Sequence, residues 1–175
     1  TDLVVAANAV VQPMGLYSNK IHSLDDIKAD TKIAIPNDPS NGGRALVLLE
    51  KAGIIKLKPD YKGEASIHDV AENPRGVKLV ELEAAQLPIS LQDLDVACVP
   101  MNYAVSGGLD VNKQGFYFES RDAKYALIII AARPDNVQSP EVQTFVKCYQ
   151  SPEVAAFIKE KFKGQINPAW EQPAK

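Results

Sequence analysis

"IPNDPSNGGRALVLLEKAG", residues 35–53, carries an apolar run into a turn-rich segment, two glycines and an arginine that opens a second apolar run. That order reads as strand, turn and helix. The strand is "KIAIPN" at 32–37, and the helix covers "GGRALVLLEKAG", closing at Gly53, where glycine suits the C-terminal position. A helix start near Arg44 gathers unpaired backbone N–H groups and the positive end of the helix dipole at one spot. Gly42 and Gly43 would let backbone approach a ligand closely, and Arg44 adds a planar fork suited to a carboxylate or phosphate. Two readings stand side by side: a cradle for a small anion at Gly43 and Arg44, or an ordinary strand–turn–helix join with a surface arginine. Neither the G-x-x-x-x-G-K-[ST] phosphate loop nor G-x-G-x-x-G is present.

The pattern repeats outward. Strand-like runs are "LVVAANAVV" at 3–11, "VKLVEL" at 77–82, "DVACVP" at 95–100, "GFYFES" at 115–120 and "YALIIIAA" at 125–132. The last is continuous and rich in β-branched residues, which suits a strand covered on both faces. Helices are expected between the strands. "SIHDVAEN" ends before Pro74, "NYAVSGGL" is stopped by its glycines, and "SPEV" at 139–142 and 151–154 starts helices over 139–149 and 152–162. In "SPEV" serine caps, proline takes the first helical position and glutamate faces the positive helix end. Alternating strands and helices predict an α/β protein with largely parallel sheets. The expected division is discontinuous, with a middle block of 30–118 between outer blocks 1–29 and 119–175 that pack together.

Composition narrows the classes. The 175 residues are 46% apolar and carry a net charge of −3, enough apolar material for a core in one domain or two lobes. The scattered charge offers no basic footprint for nucleic acid and no polybasic membrane patch. No run approaches the roughly 18 apolar residues of a membrane span. Thr1 as first residue suggests a processed or excised piece of a longer chain.

Catalytic and metal chemistry find poor material. His22 and His68 are far apart, with no cysteine or second histidine at ligand spacing, so no metal and no cofactor are expected. There is no G-x-S-x-G turn, and Glu81 and Glu83 read as exposed strand-end carboxylates. Asn102, after the strand "DVACVP", would lie at a strand's carboxyl end, where open α/β sheets hold ligands. It offers a donor and an acceptor to an amino-acid head group, or else caps the helix that follows. Cys98 and Cys148 read as small apolar residues, and a disulfide between them is left open.

Longer stretches carry more. "PMGLYSNKIHSLDDIK", "IAIPNDPSNGGRALVLLEKAGIIKLK", "VAENPRGVKLVELEAAQLPISLQDLDVA", "NYA", "YALIII" and "INPAW", in this order, resemble the methionine-binding lipoprotein family. These are the substrate-binding proteins of bacterial methionine ABC importers, and the resemblance runs through essentially the whole chain. It implies a two-lobed, periplasmic-binding-protein-like (type II) α/β fold with ligand in the interlobe cleft. It implies that Arg44 grips an amino acid's carboxylate beside Gly43 and that Asn102 contacts the head group. The implied partners are a methionine-like amino acid or dipeptide and a membrane permease with its ATPase. The implied location is the cell envelope, periplasmic or at the outer face of the cytoplasmic membrane, with a lipid anchor on the full-length precursor.

Two departures qualify that resemblance. Family members carry a further N-terminal segment that completes the first lobe and encloses the methionine side chain, so the first lobe is expected to be incomplete here. The family also usually has an asparagine two residues after the tyrosine of "YALIII", where this chain has Leu127. A site built to hydrogen-bond a polar group loses heavily when the partner is removed. An uncovered sheet edge and apolar surface would invite pairing with a second copy. The leading function is therefore a solute-binding protein. Its alternative is a truncated, non-transporting envelope lipoprotein acting through protein–protein association. An enzyme is not expected, since no nucleophile–base set is visible.

Overall fold

The computed structural model describes residues 2–120, 123 and 125–171. In chain order they form β1 (Val4–Val11), β2 (Met14–Tyr17), β3 (Lys32–Pro36), α1 (Pro39–Lys51), β4 (Lys56–Leu57), β5 (Val70–Glu72) and β6 (Lys78–Leu82). Then come α2 (Leu87–Ser90), β7 (Val96–Pro100), α3 (Met101–Ser106), α4 (Val111–Gln114), β8 (Gly115–Phe118), β9 (Leu127–Ala132), α5 (Pro140–Tyr149), α6 (Pro152–Phe162) and β10 (Asn167–Pro168). Two compact units result: a middle unit, Met14–Glu119, and an outer unit, Thr1–Pro13 with Ser120–Lys175.

The middle unit is built on a five-stranded sheet of order β6-β3-β7-β2-β8. β3 runs parallel to β6 and β7, while β2 is antiparallel to both β7 and β8. The sheet is thus mixed rather than largely parallel. The reason is β2, a short, fully buried strand that the alternation of longer runs did not reveal. Its pairing between β7 and β8 also moves the expected boundary at residue 30 back to Met14. Met14, Leu16, Ile33, Ile35, Leu46, Leu49, Ile54, Ile55, Val96 and Cys98 form one buried cluster where α1 lies on the sheet. Cys98 and Cys148 are both free, the first buried and the second exposed, and burial pushes the Cys98 thiol up.

Helix α1 begins earlier than the glycines suggested. Asp38 is its N-cap, accepting from the Asn41 N–H at 2.9 Å, and Pro39 takes the first helical position. This is the cap-then-proline arrangement that also starts α5 at Ser139 and α6 at Ser151. Gly42 is therefore inside the helix, and its reason for being glycine is contact. A Cβ there would lie 2.7 Å from the Pro36 carbonyl oxygen, a backbone atom. Gly42→Ala gains helix propensity of about 1 kcal/mol, but forces β3 and α1 apart. It is expected to lower stability by about 1–3 kcal/mol, as other overpacking substitutions do. A urea-unfolding midpoint at or above the native one would refute that reading.

Residues 66–73, expected as a helix, are a short 3-10 turn, Ile67–Asp69, followed by β5. Ser66 and Asp69 close a capping box, so the local signal for a helix start was real. The helix does not propagate because β5 pairs with β4, with Lys56 opposite Glu72 and Leu57 opposite Val70.

The outer unit has a three-stranded antiparallel sheet of order β10-β1-β9, with α5 near β1 and α6 near β10. One buried cluster there is Val11, Ala126 and Ala169, with Leu127 and Ala123 partly buried against it, and Ala9, Ala155, Ile158 and Ile166 are buried as well. β9 pairs on one side, with β1, and Ile128 and Ile129 are both exposed. The expectation that this apolar run is covered on both faces is corrected, since apolarity alone does not distinguish an enclosed strand from an edge. Phe145 and Phe157 are also exposed, at 55% and 60%. Among the described residues no helix is long and apolar enough to cross a membrane.

Candidate functional site

Parallel neighbours β3 and β7 both deliver their chains to one edge of the middle sheet. Pro36 ends β3 and leads into α1, while Pro100 ends β7 and leads into α3. The carboxyl ends of adjacent strands are where open α/β sheets hold ligands. The antiparallel strand β2 starts at the same edge, with Met14 opposite Pro100.

Arg44, in the second turn of α1, is turned inward and only 7% exposed. Its guanidinium meets the carboxylate of Glu119, which follows β8 and is 9% exposed. Nε donates to Oε2 at 3.0 Å and to Oε1 at 3.3 Å, and Nη2 donates to Oε2 at 2.5 Å. Glu119 is itself held in place: its Oε2 accepts from the Met14 N–H at 3.2 Å, and its own N–H donates to the Met14 carbonyl at 2.8 Å. A buried cation needs such a partner, because removing either charge from water alone is costly. The surface-arginine reading of this residue is therefore set aside by the structure. Glu119 escaped the reading of the sequence, where "GFYFES" counted only as a strand. The available signal was a lone carboxylate at the end of an aromatic strand.

Gly43 and Arg44, joined in one cradle by the sequence, face different surroundings. Gly42 and Gly43 line a hollow of about 170 Å³, whose walls include Asn37, Ala65 and the carboxylates Asp38, Glu64 and Glu81. Arg44 is not among its lining residues. A Cβ on Gly43 would stand 3.0 Å from both the backbone nitrogen and the carbonyl oxygen of Ala65, so this glycine admits a neighbouring chain segment. With α1 starting at Pro39, Gly43 lies past the first turn, where the unpaired N–H groups of a helix end.

Asn102 occupies the second position of α3 and is exposed. The cap of that helix is Pro100, with no side-chain cap bond, so the capping alternative for Asn102 is corrected. Leu127 opens β9 in the outer unit, opposite Val11, and is half-buried against the small cluster of Val11, Ala126 and Ala169. No group of three or more His, Cys, Asp or Glu able to hold a metal occurs among the described residues.

A buried, paired guanidinium thus lies on the helix that follows β3, and an exposed amide on the helix that follows β7. A nutrient binding protein from Burkholderia cenocepacia, solved bound to methionine, superposes with a TM-score of 0.87 at 44% identity, covering 95% of this chain and 70% of that one. The chain thus has the α/β fold of substrate-binding proteins. It belongs to the NlpA lipoprotein family, whose model matches residues 1–170. The D-methionine-binding lipoprotein MetQ of Escherichia coli is 42% identical over 170 residues, covering 96% of this chain and 62% of the relative. A probable D-methionine-binding lipoprotein MetQ of Vibrio cholerae is 39% identical over 168 residues, with 96% and 62% covered. The chain therefore spans about 62% of the length of these relatives.

Proposed function

We propose that this chain is the solute-binding component of a bacterial ABC importer and holds methionine, or a related amino acid or dipeptide, by its polar head. Arg44 receives the carboxylate, Asn102 contacts the head group, and Gly43 allows the close packing behind them. The ligand passes to a membrane permease with its ATPase, and no bond is made or broken. The location is the cell envelope, at the periplasmic or outer face of the cytoplasmic membrane, with a lipid anchor on the full-length precursor. The observation that carries this reading is Arg44: a buried arginine, paired with Glu119, on the helix that follows β3. The names of the relatives support it.

Titration calorimetry with L-methionine, D-methionine and a methionine dipeptide tests it. Arg44→Lys keeps the charge but removes the planar fork, and is expected to weaken binding by about tenfold or more. Absence of heat with all three ligands would end the transport reading.

A second reading is favoured by the outer unit. There Leu3, Val5, Ile129, Phe145 and Phe157 are exposed, and β9 presents an apolar edge. Such a surface suits an envelope lipoprotein that acts by association, including with a second copy of itself. Leu127, packed among apolar residues, supports this reading too. Sedimentation showing one compact monomer, together with amino-acid binding, would count against it.

A further inference from the structure

The carboxylate that meets Arg44 does more than neutralise it. Glu119 approaches the Nε–Nη2 side of the guanidinium, with contacts at 3.0 and 2.5 Å to a single oxygen, Oε2. A ligand carboxylate therefore cannot take that edge without displacing Glu119. The same oxygen accepts the Met14 N–H at 3.2 Å, and the backbones of the two residues are joined by the Glu119 N–H to the Met14 carbonyl at 2.8 Å. Met14 and Glu119 are the first and last residues of the middle unit. One side chain thus ties the point where the chain enters that unit to the point where it leaves, and holds Arg44 as well.

We propose that Glu119 is the positioning residue of the carboxylate site: it compensates Arg44 and, by occupying the Nε–Nη2 edge, sets the orientation of the guanidinium and keeps a ligand carboxylate off that edge. This rests on the reading of Arg44 as the group that binds a carboxylate. Because the Arg44–Glu119 pair is neutral as a whole, recognition depends on the direction of the hydrogen bonds more than on net charge. A small rotation of the guanidinium is then enough to spoil it.

Two variants separate the elements of this role. Glu119→Gln keeps an acceptor of the same reach and removes the charge. Glu119→Asp keeps the charge and withdraws it by one methylene. Calorimetry with L-methionine and with L-methioninamide, which lacks the carboxylate, reads the ligand side. NMR of the Arg44 Nε–H, recorded without ligand, reads the guanidinium directly. Both variants are expected to lose about tenfold or more in affinity for L-methionine, to leave the amide's weaker binding unchanged, and to shift the Arg44 resonance. A merely structural role would lower the melting temperature while leaving the ratio of acid to amide affinity as in the native protein, and that result overturns the proposal. An unmoved Arg44 resonance in both variants overturns it as well, whether or not any ligand binds. If the native protein takes up neither ligand while the resonance moves in both variants, Glu119 does position Arg44, and it is the carboxylate-binding reading that falls. Should Glu119→Gln fail to fold, Glu119→Asp carries the test alone.

Discussion

Arg44→Ala is expected to cost the folded protein about 3–5 kcal/mol, because it leaves the Glu119 carboxylate buried without its cation. Both side chains are 7% exposed, so water offers the orphaned charge little relief. The Met14 N–H at 3.2 Å would then offer that carboxylate one hydrogen bond in place of an ion pair. Replacing both partners by apolar residues of similar volume, Arg44→Met with Glu119→Leu, should be far milder, since no charge is then left out of water. Urea unfolding of the single and double variants decides the matter. If the double variant is as unstable as the single one, the pair is not the source of the loss.

Leu49→Ala is the second large effect, at about 2–5 kcal/mol. Leu49 is fully buried on α1, in the cluster that joins that helix to β3 and β7. The cavity left behind is bounded by strands fixed on both sides, which cannot collapse into it. Phe157→Ala in the outer unit should by contrast stay within about 0.5 kcal/mol, as surface substitutions do. The contrast follows from the two cores. The middle unit buries many long aliphatic side chains in one cluster, while the described residues buried in the outer unit are mostly small: Ala9, Val11, Ala126, Ala155 and Ala169, with Ile158 and Ile166. Amide hydrogen exchange should accordingly be slowest in β3 and β7 and fast in β9. Equal protection of β9 and β3 would contradict this account.

The β3–α1 join was legible because its signals are local. An apolar run, a cap residue and a proline stand within a few positions of each other. Even so, the helix start was placed at the glycines instead of at Asp38, since glycine is an ambiguous sign that serves turns and close packing alike. What depended on distant partners was not legible. Ser66–Asp69 announces a helix, yet β4 recruits the residues that follow into a strand. β9 has the composition of an enclosed strand and lies at an edge. Glu119 acquires its meaning from an arginine on a different element, which a lone carboxylate at the end of an aromatic strand does not identify by itself. Arg44 was identified as a candidate from its place after the glycines, and its burial against Glu119 came only with the fold.

The buried strand β2 bears on how the chain reaches its native state. Gly15 pairs with Phe118 and Leu16 with Cys98, so the sheet position of Met14–Tyr17 lies between strands that arrive much later in synthesis. Wherever the chain folds, this apolar segment stays unpaired until β7 and β8 are in place. Pairings over such separations are slow to form, and unpaired strands of this kind are prone to aggregate in the interval. This topology is therefore expected to tell on the rate of folding rather than on the stability of the finished fold.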